Sequence, residues 1–162
     1  MKAVNLALYG GSFLCFLLVL LLGESIPVAL GCIPFFLLFC AAFHELGHCA
    51  GCLLTGSTIR QIRLPLCIWD GTRLQLNSRI SPVSCCTFRK GKASWLVYLL
   101  GPLFSLGLFC GSLWVCLTFP GVATITFCIL AFGVFAVNAL PYKGNDMAMF
   151  LREILLRNEN AS

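Results

Sequence analysis

Apolar residues run along this chain in long blocks, and the blocks predict membrane-spanning helices. A bilayer core needs about 20 helical residues, and four stretches reach that length: roughly 4–22, 28–54, 95–119 and 122–140. The links inside the first pair ("GESIP") and the second pair ("PG") are short, so each pair is expected to form an antiparallel helical hairpin. Between the pairs lies the one long connection. In it, "STIRQIRLPLCIWDGTRLQLN" alternates apolar and polar positions around Asp70-Gly71, which predicts a β-hairpin over about 57–77. Its apolar face (Ile62, Leu64, Leu66, Ile68, Trp69) either dips into the bilayer boundary or packs on the helix ends. The tail repeats apolar residues at helical spacing (Met147, Phe150, Leu151, Ile154, Leu155), predicting an amphipathic helix over about 147–157 on the membrane surface or against the bundle.

Charge gives this layout a direction. All eleven Lys and Arg fall before the first stretch, in the middle connection or in the tail, which is one side of a four-span arrangement; the opposite loops carry only Glu24. By the positive-inside rule both termini and the middle insertion are expected in the cytoplasm. The first stretch is read as a retained span rather than a signal peptide, because "GESIPVALG" is a poor cleavage site. Composition agrees: 59% hydrophobic residues, 10% charged and a mean hydropathy of +0.94 exclude an ordinary water-soluble globule. The net charge of +5 reports orientation, and no nucleic acid partner is expected. The fold class is therefore an all-α integral membrane protein, one domain over 1–162, with about four transmembrane helices and a cytoplasmic-side β-hairpin insertion between the second and third. Eight of the eleven cysteines lie in apolar spans and behave as small hydrophobes; Cys67, Cys85 and Cys86 lie in the insertion, where thiols stay reduced.

Inside the second span stands "FHELGHCAGC". His44 and His48 are the only histidines in the chain, and their i, i+4 spacing puts both imidazoles on one helical face with Glu45 beside them. In H-E-x-x-H metalloproteases the two imidazoles and one further ligand hold zinc, the fourth position takes a water whose pKa the metal lowers, and the glutamate is the general base. A surface helix can carry this pattern without purpose. Within a membrane helix each ionisable residue costs about 2.5–3.5 kcal/mol, so three in five positions call for a partner.

With no third histidine, the remaining ligand is a carboxylate or a thiolate. Asp146 follows the fourth span in "NALPYKGND"; the second and fourth spans run the same way, which brings Asp146 to the depth of His44 and His48. Asp146 or Asn145 could instead cap the tail helix. Cys52 continues the i+4 series, but a straight helix rises about 6 Å over four residues, so three members of one series converge poorly on an ion. "CAGC" is read as packing, Asn138 as either a site residue or an interhelical amide worth about 1 kcal/mol, and Gly101-Pro102 as a kink in the third span.

"HELGH" within a span and "NALPYKGND" at the end of a later one resemble the site-2 protease family of intramembrane zinc metalloproteases, in a small form without a PDZ or other regulatory domain; the resemblance covers roughly 28–156. It implies that His44, His48 and Asp146 bind zinc (Zn2+), that Glu45 is the catalytic base, and that Asn138 holds the substrate strand or the developing oxyanion. Met147 stands where the family has Gly after the ligand Asp, and Ser105 where its G-P-x-x-N has Asn. The implied function is hydrolysis of a peptide bond in a membrane-anchored protein or peptide substrate, in a bacterial cell membrane, with the lipid bilayer as surroundings. A zinc-binding, non-proteolytic interaction or immunity factor is the alternative, though it has no need of Glu45. A metal transporter would want several ligand groups along a path, and the spans offer one cluster.

Overall fold

The computed structural model describes residues 2–22, 26–77, 84–89, 94–142 and 144–159. Glu24, Arg79, Lys90, Lys92 and Lys143, on which part of the charge argument rests, lie outside the described residues. The chain folds as α1 (Lys2–Leu22), α2 (Ile26–Gly31), α3 (Ile33–Thr55), β1 (Thr58–Arg63), β2 (Cys67–Trp69), β3 (Leu74–Leu76), β4 (Cys85–Arg89), α4 (Ser94–Thr118), α5 (Val122–Ala139) and α6 (Asp146–Glu159). Helices dominate, and among the described residues α3, α4 and α5 are long and apolar enough to cross a membrane.

The expected first span is a helix, but its qualifying apolar stretch, Ala3–Val19, is shorter than those three. Its polar residues explain its role. Asn5 and Ser12, two turns apart, are both buried, whereas Val4, Leu6, Leu8, Phe13, Leu14 and Leu17 are exposed. Asn5 Nδ2 donates to the Asn77 carbonyl at 3.0 Å, and the Ser12 hydroxyl accepts the Phe35 N–H at 2.9 Å. Thus α1 turns its polar face inward and its apolar face outward, the reverse of a helix on a water-soluble core.

The expected second span divides into α2 and α3. Pro34, in the first turn of α3, has no N–H to continue the ladder from α2, so the helix restarts there. Cys32, at the N-cap, makes no side-chain capping bond. The Ser12 hydroxyl supplies that partner from another helix by taking the Phe35 N–H. At the far end Gly56, at φ 66°, closes α3 in the left-handed conformation and its N–H bonds the Cys52 carbonyl. Val19, Ala29, Cys32, Phe36 and Ala123 form an apolar core where α1, α2, α3 and α5 meet.

The insertion is larger than the single hairpin expected. Its four strands form an antiparallel sheet in the order β3-β2-β1-β4. The turn does fall at Asp70-Gly71: Asp70 Oδ1 accepts the Thr72 and Arg73 N–H groups at 3.1 and 2.7 Å, and Gly71 takes φ 90°. That turn joins β2 to β3, while β1 pairs on its other side with β4, beyond the predicted boundary. Of the expected apolar face, Ile62, Leu64, Leu66, Ile68 and Trp69 are half-buried; the exposed leucines are Leu74 and Leu76 on β3.

The tight link between α4 and α5 is held by Thr124, whose hydroxyl accepts the Gly121 N–H at 3.0 Å and bonds the Phe119 carbonyl. The tail helix α6 lies against α4: the Trp95 and Phe150 rings meet tilted at 53°, 6.3 Å between centroids, and the Ser94 hydroxyl donates to Glu153 at 3.0 Å.

Candidate metal centre

Helix α3 sets its functional residues on the side facing α4, and glycines set how closely the two helices approach. A Cβ on Gly51 would fall 2.7 Å from the Val97 Cα, and one on Gly47 would meet the Leu100 carbonyl. Small residues let helix backbones pack this tightly where lipid offers no hydrophobic drive between helices. Across the contact Gly101 leaves room for two imidazoles, since a Cβ there would strike the rings of His48 and His44.

His44 and His48 are buried, at 4% and 5% exposure. Their Nε2 atoms are 3.1 Å apart, and Asp146 Oδ2 lies 2.8 Å from one and 3.1 Å from the other. Three ligand atoms from three residues therefore form one small triangle, the only such group among the described His, Cys, Asp and Glu side chains. Tetrahedral zinc with bonds of about 2.0–2.1 Å sets ligand–ligand edges near ~3.3 Å, so the triangle needs to open by only a few tenths of an ångström.

The outer ring nitrogens support the same reading. His48 Nδ1 is 2.7 Å from the Val97 carbonyl, which can only accept; Nδ1 therefore carries a proton, so the ring can ligate a metal only through Nε2, which is aimed into the triangle. His44 Nδ1 pairs with the buried Ser105 hydroxyl at 2.8 Å. Burial alone would raise the Asp146 carboxyl, but the hydrogen bonds and charge of both imidazoles outweigh it and hold Asp146 well below the usual carboxylate range. A cation would replace the protons that the two Nε2 atoms share with this ionised carboxylate, since imidazole ligates in its neutral form and metal binding releases protons. Two nitrogens and an oxygen suit zinc, and the same set with open positions also suits iron(II).

Asp146 reaches the triangle because its neighbour takes the capping role. Asn145 Oδ1 accepts the Ala148 N–H at 2.9 Å, while Nδ2 donates to the Val137 carbonyl at 3.1 Å and to the Leu140 carbonyl. One buried amide thus caps α6 and ties it to the end of α5. Met147, where the resemblance implies Gly, sits half-buried in the first turn of α6 and disturbs none of these contacts.

Glu45 is 3% exposed. Ser84 lines the same cleft as its carboxyl, and Oε2 has no partner among the described residues. A cleft of about 270 Å³ joins Glu45 to the triangle and is walled by Ser84, Cys85 and Cys86. A longer apolar groove of about 530 Å³ between α3 and α5 runs into it, sharing His44, Ser84, Asn138 and Tyr142. No family model, curated protein or solved structure matches the chain.

Of the residues singled out in the sequence, His44, His48 and Asp146 come together, and Glu45 stands at the same cleft. Asn138 lines it as well, although its Nδ2 donates back to the Val134 carbonyl of its own helix at 2.9 Å. Cys52 takes no part in the triangle. Ser84 was not anticipated: a lone serine outside any pattern carries no signal. Ser105 was noticed only as a departure, yet it holds His44. Ser105→Ala is expected to weaken metal binding by about 10–100-fold while the protein stays folded, measured by competition with a chromogenic chelator.

Proposed function

We propose that this chain is an intramembrane zinc metalloprotease of the site-2 type, hydrolysing a peptide bond of a membrane-associated protein or peptide. The observation that carries the proposal is the buried His44–His48–Asp146 triangle with the Glu45 carboxyl at the same cleft and an apolar groove running into it. His44, His48 and Asp146 would hold the zinc, which when bound polarises a carbonyl and makes water a better nucleophile. Glu45 then takes the proton from the attacking water and passes it to the leaving amine. Its Oε2, without a partner among the described residues, is the oxygen left to accept. The close contact of α3 and α4 keeps bulk water from the back of the rings.

The apolar exterior of α1, α3, α4 and α5 would face lipid, and by the positive-inside rule the Lys/Arg distribution would set both termini and the site toward the cytoplasm. A helical substrate must unwind before its backbone can be attacked. The sheet suggests where the unwound strand goes. β2 and β3 line no part of the cleft, whereas β4 is an edge strand and begins beside Ser84 in the cleft wall. An extended substrate would pair with β4 by strand addition.

Metal analysis of the detergent-purified chain tests the reading. One zinc per chain is expected for wild type, and Asp146→Ala should lose it; co-expressed membrane-anchored substrates should be cut by wild type alone. Wild type without metal would overturn the proposal, and zinc without cleavage of any membrane-anchored peptide would favour the non-proteolytic alternative.

A further inference from the structure

The apolar groove that runs into the metal cleft is uneven along its length. At its far end α3 and α5 are in contact through Phe36 and Phe127, whose ring centroids lie 5.0 Å apart. From there toward the metal the two helices are separated by the groove. Its walls are apolar along most of their length, Ala41 on α3 facing Ile129, Gly133 and Val137 on α5. Its polar residues, His44, Ser84, Asn138 and Tyr142, are all shared with the metal cleft. Ile129 and Val137 are 63% and 51% exposed, so the groove opens sideways, toward lipid. Midway between the Phe36–Phe127 contact and the metal end both walls are lowest: Ala41 has one side-chain carbon and Gly133 none, and a Cβ added at Gly133 would meet nothing within 4 Å. The α5 wall thus has a notch, with Ile129 one turn before it and Val137 one turn after.

We propose that this groove is a specificity pocket: it holds the membrane-embedded side of the substrate, and its notch at Gly133 takes a large apolar side chain about two residues from the scissile bond. The occupant is a peptide because the groove is continuous with the cleft and its polar groups gather only at the metal end, where an unwound backbone needs hydrogen-bond partners. Beyond that end the walls offer apolar side chains alone. Helix geometry gives the position. From Asn138 back to Gly133 the helix rises about 7.5 Å, the reach of about two residues of extended chain. From Asn138 to Ile129 the rise is about 13 Å, which makes room for about four extended residues. Lipid is as apolar as the groove, so the selectivity comes from packing: a leucine fills space at Gly133 that an alanine leaves empty. One methylene in a fitted apolar pocket changes cleavage by about tenfold or more, and leucine exceeds alanine by more than one.

The preference in cleavage rests on the proteolytic reading, whereas occupancy of the groove does not, and two measurements keep them apart. In the first, the full-length chain in detergent is irradiated with a synthetic single-span peptide of alanine and photoreactive leucine, and the adducts are mapped by mass spectrometry. Adducts are expected on the groove walls of α3 and α5 and should fall by about tenfold in Gly133→Leu, whose side chain fills the notch. Adducts spread evenly over the exposed faces of α1 and α4, or unchanged in Gly133→Leu, would overturn the pocket. In the second, a membrane-anchored substrate is cut by wild type, the cut is located, and the residue two positions to its membrane side is varied between leucine and alanine. Wild type should favour leucine by about tenfold or more, and Gly133→Leu should lose that preference while keeping its zinc. If Gly133→Leu does not hold zinc, Gly133→Ala takes its place, with a smaller change in the same direction. The same preference in wild type and variant would overturn the pocket and leave the protease standing; groove adducts on a chain that cuts nothing would keep the pocket and overturn the protease.

Discussion

Glu45→Gln is expected to leave the metal content of the purified protein unchanged and to lower peptide hydrolysis by about 10²–10⁴-fold, the range in which a positioned general base contributes. The two side chains have the same shape, so the packing of α3 on α4 survives. What changes is proton affinity: an amide cannot take the proton of the attacking water. The metal should stay because Glu45 is not one of the three converging residues; the triangle is made by His44, His48 and Asp146 alone. Two measurements on the same preparation check this, zinc by elemental analysis and cleavage of a co-expressed membrane-anchored substrate. Retained zinc with wild-type cleavage would show that Glu45 is not the base, and lost zinc would show that it supports the metal.

Much of the site was legible because its determinants are local or follow from topology. The i, i+4 spacing of His44 and His48 fixes their common face in any helix, and the antiparallel order of the long apolar segments brings Asp146 to the same end of the bundle as the two histidines. Other features depend on partners distant in sequence. The break before α3 needs Pro34, which is visible, and also the Ser12 hydroxyl from α1, which no local pattern announces. Strand β4 is five residues long and gains its identity by pairing with β1, more than twenty residues earlier by register, as in Ile62 opposite Cys86. Its place in the cleft wall was invisible for the same reason. The inward polar face of α1 was hidden by the apolar majority around Asn5 and Ser12. Ser105 shows how a resemblance misleads at the level of one residue: read as a departure from a family pattern, it proves to hold His44 through Nδ1.

Gly101→Ala is expected to abolish stoichiometric metal binding, although it adds a single methyl group to a helix. The added Cβ would lie against Cε1 and Nε2 of His48 and 3.0 Å from Cε1 of His44, so both rings must move. Neither has anywhere to go at low cost, because Nδ1 of His48 is held by the Val97 carbonyl and Nδ1 of His44 by Ser105. Overpacking of this kind costs about 1–3 kcal/mol, and here it falls on the two side chains that must keep their Nε2 atoms about 3 Å apart to share an ion. Gly107→Ala on the same helix is the matched control, since a Cβ there meets nothing within 4 Å and metal binding should be unaffected. Zinc content and the thermal shift produced by added zinc separate the two: Gly107→Ala should show the wild-type shift and Gly101→Ala none. A Gly101→Ala protein that binds zinc like wild type would mean that α3 and α4 part easily, and that their close contact is not what holds the histidines in place.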